Sequence, residues 1–484
     1  GCTVSEIHSQ YCTVSSITFP TKGVLLKSRT GTGKSTLAFE FCRQLLESNP
    51  SGRILYVVSS RALAWSSCST FNSKWDTYMF DKEVPSFTCY MSKRGPLASV
   101  QCLCVSIQSC WRTMVNRSPY DLIIIDEVSS CLEDACSTTV KQQRACFEQL
   151  KWCLDNSDKV LMMDAHITDL QVSWACLSLG AAQVTLVWNT YLGPRRLLRK
   201  TEPPLWGVRL RKKNRPQVFT SLLLNCWRQK QKTCLVCNSL KYGSWLEENF
   251  LQLSLTGMEL AYMGLPCDLA KLCCEFLSSQ PYLNYKWIHK HDKVPSRELT
   301  SASITQSWPQ LDHLQYTSRI TSGLDYCPET FQVGFCYTSV GLLVPRKLLQ
   351  QIGRIRTWKK NKYAPCPLLY LALNTQWKGT CLKVQGLGNL RKYRDSQKNL
   401  SASYYRTLMG NQAHQFETQF CQGLPPEWED CILRLHNERE VWCKYPHASL
   451  SYFFTLDGWT VDTSWVPPSA SLGFLKAVPK PLSY

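Results

Sequence analysis

No stretch of about 18 apolar residues occurs in this chain, which argues against a transmembrane helix. Its opening, GCTVSEIHSQYC, has neither the basic head nor the apolar core of a secretory signal. Acidic residues are scarce: 36 Asp plus Glu stand against 55 Lys plus Arg, a formal charge of +19. That imbalance favours a polyanionic partner, nucleic acid first and an acidic protein second. Zinc-site spacing is missing too. Cys234 and Cys237 form a CxxC, but no second pair follows at zinc-ribbon spacing, and LVCNS reads as a strand. The 26 cysteines are scattered, many inside apolar runs such as CLCVSI, where a free thiol packs as a small hydrophobe. Without a disulfide framework or a signal segment, the expected compartment is reducing, cytoplasm or nucleus. No internal repeat of short period is present.

What is there reads as an ordered globular protein: 44% of residues are hydrophobic and 19% charged. At roughly 150 residues per domain, the length predicts two or three domains. VLLK (24–27), RILYVVSS, SVQCLCVSI, YDLIIIDE and KVLMMDA are apolar runs closed by polar residues, and TLAFEFCRQLLE between them has helical spacing. Solid apolar strands separated by helices predict an α/β fold with a buried parallel sheet. After Trp188 the composition shifts, and residues 191–215 read as a basic, proline-bearing connector. A second alternating series follows: TCLVCNS (233–239), the GMELAYMG region, HLQYTS (313–318), QVGFCYT (332–338) and PLLYLAL (367–373). The predicted division is 1–190, 191–215, 216–377 and a C-terminal accessory region, 378–484, with several tryptophans and a basic stretch from Lys383 to Lys398.

The densest chemical signal is Ser28-Arg-Thr-Gly-Thr-Gly-Lys-Ser35, set between a strand and a helix. Glycines permit positive φ, bare N–H groups then point inward, and the helix N-terminus adds partial positive charge. This predicts a phosphate-binding loop in which Thr30, Gly31, Thr32, Gly33, Lys34, Ser35 and Thr36 hold ATP. Lys34 meets the β- and γ-phosphates and the Ser35 hydroxyl ligates Mg2+. Ser28 departs from the strict motif, which has Gly at that position. Asp126-Glu127 end the LIIID run, and a strand end places a carboxylate beside such a loop. Asp126 is expected to hold the Mg2+ and Glu127 to polarise the attacking water.

These two motifs resemble motifs I and II of superfamily 2 helicases, and further matches fall in order. VVSSRALAW (57–65) is similar to motif Ia, LMMDAHITD (161–169) takes the place of motif III, and CLVCNSLKYGSWLEE (234–248) is similar to motif IV. YTSRITSGLDY (316–326) resembles motif V and QQIGRIR (350–356) motif VI. The wording DEVSS, MDA, YTSxxTxGLDY and QxxGRxR resembles the herpesvirus-type replication origin-binding proteins, over roughly residues 20–375. The resemblance implies two tandem RecA-like parallel-sheet domains with a smaller C-terminal extension. It implies that Ser59, Arg61, Thr317, Ser318 and Thr321 contact nucleic acid and that Gly323 and Asp325 serve the nucleotide. Asp164, Ala165 and His166 would couple the two sites. Gln350, Arg354 and Arg356 form the arginine-finger segment, with Arg354 preferred because the two arginines stand closer together than in many relatives. A guanidinium suits that role because it is always charged and planar.

The expected activity is ATP-driven movement on nucleic acid during replication, with single-stranded or forked DNA as the expected partner and replication proteins as further partners. Alternatives are an RNA helicase, a nucleic-acid scaffold with a decayed ATP site, and a P-loop nucleotide kinase. The intact Lys34, Ser35, Asp126 and Glu127 weigh against the scaffold, and the GRIR segment against the kinase.

Overall fold

The apolar runs become buried strands because each is bounded by polar residues that stay at a sheet edge while its middle is covered on both faces. The computed structural model describes residues 2–78, 85–115, 118–137, 140, 142–193, 196–200, 215–247, 283–289, 301–317, 320, 326–340, 344–359, 366–374, 425–444 and 446–462. The first sheet contains β1 (Thr3–Ile7), β2 (Gly23–Lys27), β3 (Ile54–Val58), β4 (Thr88–Cys89), β5 (Cys102–Ser106), β6 (Leu122–Asp126), β7 (Lys159–Asp164) and β8 (Val184–Asn189). Their order is β1-β8-β2-β7-β6-β3-β5-β4, and every pairing is parallel. Between strands lie α1 (Lys34–Ser48), α2 (Arg61–Tyr78), α3 (Val128–Ala135), α4 (Gln143–Asp155) and α5 (Asp169–Leu179). Each crossover returns the chain to the same starting edge. The carboxyl ends of all eight strands therefore share one edge of the sheet. Strands β3, β5 and β6 are buried at every position, whereas the edge strand β1 is largely exposed.

A second sheet contains β9 (Arg196–Lys200), β10 (Thr233–Cys237), β11 (Tyr285–Ile288), β12 (His313–Tyr316), β13 (Val333–Ser339), β14 (Leu368–Asn374) and β15 (Trp459–Asp462). The order is β11-β12-β10-β13-β14-β9-β15, again with every pairing parallel. The helices here are α6 (Arg215–Arg228), α7 (Leu240–Leu246), α8 (Ser301–Ser307) and α9 (Pro345–Ile352), followed late in the chain by α10 (Pro426–Lys444) and α11 (Pro446–Leu456). The fold is α/β with two tandem parallel-sheet domains of RecA-like type, as the motifs imply. Among the described residues, no helix is long and apolar enough to cross a membrane.

Two parts of the composition-based division are corrected. The chain separates into Gly1–Gly193 with Lys378–Lys444, and Pro194–Trp377 with Tyr445–Tyr484. Within the supposed connector 191–215, Arg196–Lys200 is a strand between β14 and β15. Its Leu198 is buried, and both its arginines are paired: Arg196 with Asp457 (2.8 Å) and Arg199 with Asp462 (3.2 Å). Positive charge signalled a connector only because these partners lie far along the chain. Nor do the described residues of 378–484, 425–444 and 446–462, form a separate accessory region. Helix α10 packs on the first unit, where Trp428 stacks on Phe147 at 3.9 Å and meets Trp174 edge-on at 5.4 Å. In the second unit α11 packs against α9, and β15 closes that sheet. The GMELAYMG region, residues 201–214 and the Lys383–Lys398 stretch lie outside the described residues. Strand β1 was not anticipated, since TVSEI is too polar to announce itself as a strand.

Candidate nucleotide-binding site

The order β2-β7-β6 puts three polar strand ends side by side on the carboxyl edge. Lys27 of β2 pairs in register with Asp164 of β7, and Asp126 of β6 with Met163. From β2 the chain enters the Ser28–Ser35 loop. Gly31 and Gly33 take φ of 88° and 79°, the left-handed region in which a Cβ is strained. Gly33 leads directly into α1, whose exposed first turn carries Ser35 and Thr36. The Thr36 hydroxyl accepts from Lys74 Nζ at 3.3 Å. Lys34 Nζ donates to the carbonyls of Ser28 (2.6 Å) and Arg29 (2.9 Å), so its ammonium lies over the loop.

Ser28, the departure from the strict motif, braces this loop. Its buried hydroxyl lies 2.6 Å from Thr32 Oγ1 and 3.3 Å from Cys12 Sγ, and accepts from Asn189 Nδ2 at 3.0 Å. Thr32 Oγ1 in turn donates to the Arg29 carbonyl at 2.6 Å. Asn189, the buried end of β8, also donates to Ser9 O (2.8 Å) and accepts from the Ser9 and Tyr191 amides (3.1 Å each). Sequence reading missed Asn189. Its signal is the one that marked Asp126, a polar residue closing an apolar strand.

Asp126 is only 6% exposed. Its Oδ2 accepts from the Tyr56 hydroxyl at 2.7 Å and its Oδ1 from the Glu127 amide at 3.0 Å. Burial pushes its carboxyl above the usual range, opposed by the Tyr56 hydrogen bond and by the nearby positive charge of Lys34. The loop lysine and the strand-end carboxylate are thus electrostatic neighbours. Tyr56 had been read only as part of an apolar strand. Glu127 sits at φ 51°, a left-handed backbone uncommon for a residue with a side chain. Such strain costs roughly 1–3 kcal/mol and clusters at functional sites.

Asp164 links the three segments. Its Oδ2 accepts from the Ser129 amide at the start of α3 and its Oδ1 from the His166 amide, both at 2.9 Å. Its carbonyl accepts from the Ser28 amide at 3.0 Å. One residue therefore touches the Ser28–Ser35 loop, the helix after Asp126-Glu127 and its own turn, which also carries Ala165 and buried His166. Further along the edge, buried Ser59 follows β3, and exposed Arg61 opens α2.

In the second unit, Tyr326 bridges to Ile355. The Tyr326 amide donates to Arg354 O and the Arg356 amide to Tyr326 O, both at 2.9 Å, so the ends of the motif V and VI segments are fastened together. The Tyr316 hydroxyl donates to Gln351 O at 2.8 Å. Gln350 and Arg354 are buried and Arg356 is more open; the Arg356 charge reaches Arg196. Thr317 is buried after β12. Ser318, Thr321, Gly323 and Asp325 lie outside the described residues.

The donor set of the first unit suits a nucleotide with a hard cation. Ser35 offers a hydroxyl and Asp126 a carboxylate, the oxygen donors with which Mg2+ joins phosphate. Among the described residues no cluster of three or more His, Cys, Asp or Glu could hold a metal by itself.

Comparison with known proteins finds relatives of the kind the sequence resembles. The model of the family described as "Origin of replication binding protein" matches residues 3–200, so the likeness begins at β1. A protein named for a helicase/primase complex of African swine fever virus is 21% identical over 283 residues, 58% of this chain and 24% of that protein. The replication origin-binding protein of human herpesvirus 6B is 21% identical over 336 residues, 69% of this chain and 36% of its own length. The chain thus spans well under half of either relative. Among solved structures, S. cerevisiae Dbp5 bound to RNA and ADP BeF3 aligns at TM-score 0.46 and 12% identity, over 73% of this chain and 80% of that one. The DUF1998 helicase MrfA bound to DNA and AMPPNP aligns at TM-score 0.46 and 13% identity, over 72% and 46%. The chain is similar to helicase-type replication proteins.

Proposed function

We propose that this chain is the motor of a DNA helicase or translocase of superfamily 2 type, an ATPase stimulated by nucleic acid and acting in replication. The observation that carries the reading is the linkage of Lys34, at the loop's entry into α1, with Asp126 and Asp164 on adjacent strand ends, where Asp164 is hydrogen-bonded to both the loop and the helix after Asp126-Glu127. A scaffold that had lost ATP would have no need to keep a desolvated carboxylate beside an ammonium, since burying an ionised carboxylate is costly. The likeness to origin-binding and helicase/primase proteins supports replication as the setting.

In this reading the amides of Thr30–Thr36 and the Lys34 ammonium bind the phosphates of ATP. Ser35 and Asp126 would hold Mg2+, which supplies charge neutralisation at the phosphate oxygens. Glu127 orients and polarises the attacking water. Arg354, ahead of Arg356, supplies the guanidinium on which hydrolysis depends, and Gln350 supports it. Asp164, Ala165 and His166 pass a change at the phosphate loop to the rest of the edge, where Ser59 and Arg61 contact the strand. Thr317, Ser318 and Thr321 take the same role in the second unit, and Gly323 and Asp325 serve the nucleotide. Contacts to phosphate predominate, so binding is tolerant of sequence and sensitive to salt.

The test is ATP turnover measured in parallel without nucleic acid and with single-stranded DNA, duplex DNA and RNA. Stimulation by DNA is expected, with Lys34→Ala and Arg354→Ala each lowering turnover by at least about 100-fold. Preference for RNA would replace DNA as substrate. Tight binding without turnover would favour the scaffold, and phosphate transfer to a small acceptor the kinase.

A further inference from the structure

The edge that carries the phosphate loop continues past β6 to β3, β5 and β4. The turns leaving β4 and β5 there are built as one piece. Arg112, in the 3-10 turn Ile107–Thr113 after β5, donates to the carbonyls of the loop after β4. Its Nη1 reaches Tyr90 O at 2.9 Å, its Nη2 reaches Lys93 O at 2.6 Å and Gly95 O at 2.8 Å, and its Nε reaches Gly95 O at 3.1 Å. The Leu97 amide returns a bond to Arg112 O at 2.9 Å. Hydrogen bonds from a charged donor are about twice as strong as neutral ones, so this guanidinium fixes the loop backbone.

What the fixed loop displays does not serve folding. Every residue from Met91 to Pro96 is exposed, Lys93 and Arg94 included. Trp111, next to Arg112, is 39% exposed, although burying an indole is among the larger gains available to a fold. No Asp or Glu occurs from Pro85 to Val115, so the stretch offers no carboxylate to these cations. A rigid cationic loop beside an open indole combines the two contacts that hold an unpaired strand, charge for phosphate and an aromatic face for a base.

The geometry points to a base-stacking ledge: Trp111 takes the face of an unpaired base while Lys93 and Arg94 hold flanking phosphates of the same strand. This rests on the nucleic-acid reading above and adds contact through a base to contact through the backbone. Any base has a π face, so the ledge tolerates any sequence but not a missing base. An acidic peptide would use the charges and leave the indole idle.

The experiment is fluorescence anisotropy on the full chain with a mixed-sequence single-stranded DNA and an abasic strand of equal length. The base-bearing strand is expected to bind about tenfold tighter, the worth of one stacked base. Trp111→Ala removes that preference and Trp111→Phe retains it. Lys93→Ala with Arg94→Ala weakens both strands and lowers the slope of log Kd against log salt by about 1.4, at about 0.7 per lost phosphate contact. A preference unchanged in Trp111→Ala overturns the ledge and leaves the nucleic-acid reading standing, as does tight binding of poly-glutamate with no base preference for DNA. Failure of the unaltered chain to bind either strand overturns the reading and the ledge together.

Discussion

Burial holds the Asp126 carboxyl above the usual carboxylate range while the Tyr56 hydroxyl and Lys34 favour its charged form. The folded chain keeps its proton at a pH where the unfolded chain, near the ordinary value of 3.8, has lost it. Stability from this group is therefore present at low pH and is lost as pH rises through that interval. At neutral pH the ionised carboxylate costs the fold something, and in the proposed function its hold on Mg2+ is the compensation. Asp126→Asn keeps an acceptor for Tyr56 and removes the charge. It is expected to raise the melting temperature at pH 7 while lowering ATP turnover by at least about 100-fold. A lower melting temperature with turnover intact would show that the residue is structural. At this scale the sequence was informative because a strand end is a local feature: four apolar residues followed by Asp and Glu announce themselves without any knowledge of the sheet.

Strand β12 shows how an element of the second unit depends on a neutral histidine. His313 Nδ1 lies 2.8 Å from Thr233 Oγ1 on β10, which also accepts from Trp227 Nε1 at 2.9 Å. The indole meets the imidazole edge-on at 4.9 Å. Burial lowers the His313 pKa from 6.5 to about 3. Between those values the unfolded chain binds a proton that the folded chain refuses, so stability falls as pH drops from about 6.5 toward about 3. The limiting slope is about 1.4 kcal/mol per pH unit. Urea unfolding of this unit followed from pH 7 to pH 4 should show that loss, and His313→Gln should flatten it. A pH-independent midpoint in the unaltered chain would contradict the assignment. HLQYTS was legible as a strand, but the neutrality of its first residue was not, because it comes from burial beneath other elements, which the local pattern does not record.

Across the whole molecule, the C-terminal segment serves both units. Helix α10 lays Trp428 against Phe147 and Trp174, and Asp430 accepts from Ser173 at 2.9 Å. Trp428 is fully buried. Trp428→Ala should therefore destabilise the first unit by about 3–5 kcal/mol. Chemical denaturation read by a probe in that unit checks it, and a loss below about 1 kcal/mol would mean that α10 is dispensable there. Composition gave no warning of this role, since a scatter of tryptophans does not say which core they enter.

The sequence by itself determined the parallel α/β class, the glycine-bearing loop between β2 and α1, the acid pair and the order of the helicase-like motifs. Each of these is written in residues close together along the chain. Tertiary structure alone decided that Arg196–Lys200 is a strand, that Ser28 is braced by Asn189, and that Trp428 belongs to the first core. Those pairings join residues far apart in the chain. They are fixed by strand order and by close packing, which leave no periodic trace in the segments that take part.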